Sequence, residues 1–179
     1  MKIVKYILIV VGALVVIVLA LGAVVKSEYA VERSITINKP RQDVFNYVKL
    51  LKNQDNYSKW AMLDKNMKKE YTGDDGTVGF ISAWDSDHKE VGKGEQEIKK
   101  IEDGKRLDFE LRFKIPFEVT DYAYMSTEDA AGGTTVKWGF FGKMPYPMNI
   151  MMLFMDMDNM LGKDLEIGLT NLKTVLEKP

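Results

Sequence analysis

The stretch Ser34–Trp60, SITINKPRQDVFNYVKLLKNQDNYSKW, decides the fold. From Tyr29 to Asn38 the chain alternates, with Val31, Ile35 and Ile37 separated by charged or hydroxyl side chains, which is the period of a half-buried strand. Pro40 stands where a helix can begin, because its missing N–H is one of the donors that a first turn leaves unsatisfied anyway. Val44, Phe45, Val48 and Leu51 continue at helical spacing, and Asn53, Asp55, Asn56 and Ser58 break the period before Trp60. No residue in the stretch is catalytic by type, so its contribution is one of shape.

Downstream, the period of two returns. GDDG (Gly73–Gly76), DSDHKE (Asp85–Glu90), EDGK (Glu102–Lys105) and EDAAGG (Glu128–Gly133) carry the Gly/Asp chemistry of turns. Between them the pattern predicts strands near Met67–Thr72, Val78–Trp84, Gly92–Ile101, Arg106–Lys114, Glu118–Ser126 and Thr134–Phe141. In RLDFELRF, Leu107, Phe109, Leu111 and Phe113 alternate with Asp108, Glu110 and Arg112, so one face is buried and the other wet. Beyond KMPYPMN the period changes again: Leu153, Met157, Met160, Leu161, Leu165, Leu169, Leu172 and Leu176 fall on one stripe, predicting a C-terminal helix of five to seven turns. Such a stripe must cover something, and the inner face of the sheet is the one large apolar surface left to cover. The expected architecture is α+β: a curved antiparallel sheet of about seven strands wrapped on a long C-terminal helix.

At the other end, Tyr6–Val25 is a run of twenty residues without a charge. A helix of about 20 residues spans a hydrocarbon core of about 30 Å. A cleavable signal peptide usually has an apolar core of about 7 to 15 residues and a small-x-small site after it. Here the run is longer and Ala20-Leu21-Gly22 lies inside it, so an uncleaved anchor over residues 1–27 is the expectation, with a folded domain over residues 28–179. Lys2 and Lys5 precede the run while Lys26, Glu28, Glu32 and Arg33 follow it, which places the N-terminus in the cytoplasm and the domain outside it, in the periplasm or at the exterior for a bacterium. A formal charge of −1 gives no bulk positive field for a phosphate backbone, so nucleic acid is not an expected partner. The absence of cysteine and the single histidine remove disulfides, thiolate chemistry and histidine metal clusters.

The order of strand, short helices, six-strand meander and final helix is that of the helix-grip fold. With SITINKPRQDVFNYVKLLKNQDNYSKW, GFISAW, VGKGEQEI and LRFKIPF, the region from Glu28 to Lys178 resembles the SRPBCC, or START-like, superfamily, in particular its polyketide-cyclase/dehydrase-like branch. That resemblance implies a cavity between sheet and helix that takes an apolar small molecule or lipid. It carries over no catalytic residue, cofactor or metal, and a monomeric soluble domain is expected.

For the cavity, the candidate ligand-binding residues are Trp60, Trp84, Phe109, Tyr122, Trp138 and Met152. Each aromatic taken singly reads first as core, since burying about 150–250 Å² per ring is ordinary, but a sheet wrapped round one helix leaves volume between them and the two roles are not exclusive. Seven of the eleven methionines fall between Met144 and Met160. Thioethers are soft Cu(I) ligands, but no His or Cys completes a site there, and neighbouring helical positions point to different faces. An adaptable lid over the cavity mouth and the first turns of the helix is the favoured reading. Two alternatives to ligand binding stay open. One is a cyclase/dehydrase-type enzyme, which needs a carboxylate or phenol such as Glu95, Glu97 or Tyr122 inside the cavity, where burial would raise a carboxylate pKa. The other is an interaction module that docks a partner through the methionine-rich segment. Glu95 and Glu97, Asp156 and Asp158, and the lone His88 with Asp85 and Asp87 read first as solvated surface.

Overall fold

The computed structural model describes residues 2–178. Strand β1 (Glu28–Ile37) leads through Pro40 into helix α2 (Arg41–Lys49), α1 being the apolar helix Lys2–Val24. Pro40 occupies the N-cap with φ −58° and ψ 143°, so the extended chain turns into the helix without losing a donor. Val44, Phe45 and Val48 are fully buried, as their i, i+1, i+4 spacing requires. A 3-10 turn (Leu51–Asn56) and helix α3 (Lys59–Leu63) complete the connection. The turn is held from outside: Asp75 of the GDDG loop accepts from the backbone N–H groups of Leu51 at 2.8 Å and Lys52 at 3.2 Å. That loop can bend back because Gly73 and Gly76 take φ of 88° and 80°, where a side chain would be strained.

Strands β2 (Lys68–Thr72), β3 (Ile81–Asp85), β4 (Lys93–Glu102), β5 (Arg106–Ile115), β6 (Val119–Ala130) and β7 (Gly133–Lys143) form an antiparallel meander, and β1 takes the edge beside β7, giving the order β1-β7-β6-β5-β4-β3-β2. The alternation in sequence becomes two faces. Ile98, Leu107, Phe109, Met125 and Val136 are buried on one, while Glu95, Glu110, Arg112 and Tyr122 stand on the other. The expected strand from Val78 starts later, at Ile81, because Gly79 turns the chain at φ 89° and Val78 is left exposed.

Helix α4 (Met157–Glu177) buries Leu165, Leu169 and Leu172, each contributing about 1.5–3 kcal/mol of burial. It starts later than the apolar stripe suggests. Leu153, expected on that stripe, belongs instead to a separate 3-10 turn (Met148–Leu153), and Met160 is more than half exposed. Gly162 and Gly168 are buried on the packed side of α4, and there they admit large neighbours. A Cβ at Gly162 would lie 2.1 Å from Nη2 of Arg33, and one at Gly168 2.7 Å from Cζ3 of Trp138. Arg33 donates to both Asp158 carboxylate oxygens, at 2.9 and 2.8 Å, and to Glu166 at 2.7 Å, tying β1 to the helix.

The chain divides into two compact units. One is the N-terminal segment through Tyr29 together with Lys143–Met157; the other is Ala30–Gly142 with the C-terminal segment from Asp158. The sheet interior and its cavity belong to the second.

Replacing a mid-helix glycine by alanine ordinarily stabilises by about 1 kcal/mol. Gly168→Ala is expected to do the opposite, because the added methyl meets the buried Trp138 ring and overpacking costs about 1–3 kcal/mol. Urea denaturation followed by tryptophan fluorescence should give a lower midpoint with an unchanged slope. A raised midpoint would mean the ring yields freely.

Candidate functional site

Between the inner face of the sheet and the helical connection lies a cavity of about 180 Å³. Its floor is set by strand alternation: Gln96 of β4, Leu111 and Phe113 of β5, Ala123 of β6, and Trp138 and Phe140 of β7 all take inward positions. Ser82 and Trp84 of β3 close one flank. Leu51, Gln54, Ser58, Trp60 and Ala61 come from the connection that Ser34–Trp60 spells out, and Leu161 from α4. Trp84 owes its position to a small neighbour, since its cross-strand partner is Gly94, where a Cβ would lie 2.7 Å from the indole Cζ2.

The aromatic walls interlock edge to face. Trp60 and Trp138 meet with ring centroids 6.3 Å apart at 85°, Trp84 and Phe113 at 5.9 Å and 73°, and the buried Tyr57 backs Trp138 at 5.8 Å and 69°. This geometry suits the ring quadrupoles and fixes the walls. Burial pushes the Tyr57 phenol far above its ordinary value, so it stays neutral, and it donates to Sδ of Met125 at 3.6 Å.

Polar groups in the lining are few. Ser58 and Gln96 are buried, and the Nε2 of Gln54 is buried without a hydrogen-bond partner. The indole N–H of Trp84 is used internally, donating to the carbonyl of Val91 at 3.3 Å. The one carboxylate in the lining, Asp55, is ion-paired with Lys69, which lines the same space.

Of the six residues the sequence nominates, Trp60, Trp84 and Trp138 are brought together around this cavity. Phe109 faces the same side of the sheet but is packed into the core, 1% exposed. Tyr122 stands on the outer face, 42% exposed and stacked on Phe141 at 5.6 Å. Met152 lies in the 3-10 turn of the other unit. The methionine-rich segment, read from sequence as a lid, directs its polar contacts to α1: Asn149 Nδ2 donates to the carbonyls of Gly22 and Val25. Gln54, Gln96 and Phe113 were not nominated. Gln96 was detectable, as a polar residue at an inward position between Gly94 and Ile98.

Glu95 and Glu97 point away from the cavity, onto the outer face. Arg112 donates to Glu95 at 2.7 Å and to Glu97 at 2.7 Å, and also pairs with Glu110. Hydrogen bonds from Arg112, then from Lys114 and Lys99 respectively, hold both carboxyls below their ordinary value of 4.5. His88 is exposed in the β3–β4 loop, where its Nδ1 accepts from the Glu90 N–H at 3.3 Å.

A seven-stranded antiparallel sheet packed on a long C-terminal helix, with the N-proximal helices beside it, defines a START-like helix-grip domain. Residues 29–177 match the family described as polyketide cyclase / dehydrase and lipid transport, and the chain belongs to that SRPBCC family. Among solved structures, it is similar to a putative uncharacterised protein from Rhizobium leguminosarum, at 13% identity and a TM-score of 0.59, covering 85% of this chain and 96% of that one. It is similar to Ara h 8.0201 at 14% identity and a TM-score of 0.54, covering 83% and 97%. A third similarity is to the di-domain ARO/CYC BexL from the BE-7585A biosynthetic pathway, at 13% identity and a TM-score of 0.61, covering 89% of this chain and 53% of that one. At these identities the structures share the fold. No curated protein matches the chain.

The outer-face cluster makes stability depend on pH. Because Glu95 and Glu97 titrate lower when folded, their contribution is fully present above pH 4.5 and is lost as pH falls through the depressed folded values. Arg112→Met should therefore cost about 1–2 kcal/mol at pH 7, where Glu95, Glu97 and Glu110 are left facing one another, and much less near pH 3. Urea midpoints at the two pH values check this; an equal loss at both would remove the electrostatic account.

Proposed function

We propose that the protein is a membrane-anchored binding protein for a hydrophobic small molecule or a lipid segment, held in the cavity between the sheet and the helical cover. The observation that carries the reading is a cavity walled by three tryptophans and two phenylalanines, with the polar side chains of Gln54, Ser58, Ser82 and Gln96 set among them. Apolar walls supply affinity and a few polar side chains supply orientation, which is the usual division of labour in ligand sites. Size limits the ligand. An apolar cavity of about 150 Å³ accepts benzene, so the space of about 180 Å³ suits one substituted ring or a short length of acyl chain. Helix α1, of 23 residues, is long and apolar enough to cross a membrane. As an anchor with its N-terminus in the cytoplasm, it raises the local concentration of any lipid-derived ligand for a domain held outside. The enzyme reading is the weaker one: Glu95 and Glu97 lie outside the cavity with lowered pKa values, the reverse of what a general acid requires, and Tyr122 is on the outer face.

All three tryptophans of the chain line the cavity, so its occupancy is readable without labels. Full-length protein in lipid nanodiscs should show saturable quenching of tryptophan emission by 4-nitroanisole, a one-ring probe with oxygen acceptors that absorbs near that emission. Gln96→Leu should weaken this binding about two- to tenfold, the equivalent of about 0.5–1.5 kcal/mol for one hydrogen bond, and leave the affinity of naphthalene, read by competition, unchanged. Quenching that rises linearly, as in free tryptophan, would sink the binding reading.

A further inference from the structure

Helix α1 shares its unit with the segment Lys143–Met157, and the two are joined by specific contacts. Asn149, 2% exposed, donates from Nδ2 to the carbonyl oxygens of Gly22 at 2.7 Å and Val25 at 2.9 Å. The first of these carbonyls belongs to the last turn of α1, where a helix leaves four acceptors unpaired, and the second to the residue that follows the helix. The phenol of Tyr146 donates to the carbonyl of Leu19 at 3.2 Å, and its ring lies so close to Gly22 that a Cβ there would be 3.2 Å from Cε2. The Met144 N–H donates to Ser27 at 2.8 Å. The segment is thereby fixed at one height along α1, beside Leu19–Ser27.

That height has a meaning if α1 crosses a membrane. The uncharged run Tyr6–Val25 is about as long as a hydrocarbon core is thick, so its final residues lie at the hydrocarbon edge, just before Lys26 and Glu28. The segment fixed there is itself unusual in composition. From Met144 to Met155 it has no charged residue, and it turns large apolar groups outward: Phe154 is 85% exposed, Leu153 56%, Tyr146 55% and Met151 45%. Its irregular 3-10 backbone excludes a position deep in the hydrocarbon, where each unpaired peptide group would be costly. The headgroup–acyl boundary accepts such a backbone, and it favours tyrosine and flexible apolar side chains.

We propose that Tyr146–Phe154 is a second membrane-contacting element, an interfacial turn whose exposed apolar side chains insert into the same leaflet that the C-terminal end of α1 leaves. The inference rests on the anchor reading above and is independent of what the cavity binds. The occupant is a lipid surface because the patch is continuous with α1, the one helix among the described residues long and apolar enough to cross a membrane, and because no charge interrupts it.

The chain has no cysteine, so single labels can be placed without first removing a native cysteine. Full-length Phe154→Cys, Val16→Cys and Lys89→Cys variants, each carrying a nitroxide, would be reconstituted in phosphatidylcholine/phosphatidylglycerol nanodiscs. Collision rates with oxygen, which concentrates in lipid, and with a water-soluble nickel chelate are then compared. At position 154 the oxygen-to-nickel ratio should exceed that at the exposed loop position 89 at least severalfold, and lie below that at position 16. A ratio at 154 equal to that at 89, with 16 in lipid, overturns the interfacial turn and leaves the anchor standing. Shielding of 154 from both reagents assigns the patch to protein contact and equally overturns it. A water-like ratio at position 16 removes the anchor and the interfacial turn together. Phe154 is nearly fully exposed, so its replacement should not perturb folding, and circular dichroism of each variant checks that.

Discussion

How closely α4 can approach the inner face of the sheet is the constraint on which the domain depends. Leucines at 165, 169 and 172 supply the apolar contact, but glycines at 162 and 168 set the distance. At Gly168 the helix backbone comes near enough for the Trp138 ring to lie against it, and at Gly162 the Arg33 guanidinium fits where any side chain would collide. The Trp138 ring, fixed on that side by the helix and on another by Tyr57, then presents its remaining surface to Trp60 and the cavity. A small residue on the helix thus determines the position of a large one in the wall.

The same pairing of large with small recurs across the sheet. Trp84 lies against Gly94 on the inner face, and Tyr124 against Gly139 on the outer one, where a Cβ would come within 2.2 Å of the ring. A bulky ring over a cross-strand glycine takes the room its partner leaves, which orients the ring and covers backbone that would otherwise be exposed. On the inner face this keeps Trp84 beside Phe113, so the cavity wall is rigid where the ligand would touch it. The connection at Ser34–Trp60 completes the enclosure, and it is held in turn by the Asp75 carboxylate and by Lys59 donating to Asp164 of α4 at 2.5 Å.

Much of this was legible in the sequence, because the signals were periodic. Alternation in RLDFELRF put Leu107 and Phe109 inside, Pro40 marked the helix start, and the stripe Leu165, Leu169, Leu172 marked the covering helix. What was not legible depended on distance rather than period. Leu153 and Met160 continue the apolar stripe by spacing alone, yet the chain before Met157 turns to satisfy the open carbonyls of α1, an acceptor set over a hundred residues away in sequence. Glu95 and Glu97 attracted notice as carboxylates, but parity places them outward; the informative residue was Gln96 between them, a polar side chain where alternation demands an apolar one. Tyr122 likewise carries the parity of the outer face. Gln54 could not be found this way, since 3-10 turns have no long period and its burial comes from strands far along the chain.

The unpartnered Gln54 amide is the clearest indication that the cavity is not simply imperfect packing. A buried donor without an acceptor costs about 1–3 kcal/mol, and a leucine of similar size at that position would remove the cost while filling the same apolar space. The fold already spends considerable precision nearby, capping the Leu51–Asn56 turn with Asp75 and holding Asn53 by a 2.8 Å bond to the Tyr47 carbonyl, so the geometry around Gln54 is not slack. Gln54 and the inward-facing Gln96 bring amide side chains to the lining of an aromatic-walled space, and a buried amide without a partner is destabilising in the free protein. A ligand that brings one oxygen on an otherwise apolar body can pair with an amide of the lining, whereas a purely hydrocarbon chain fills the volume and leaves the amides as they were.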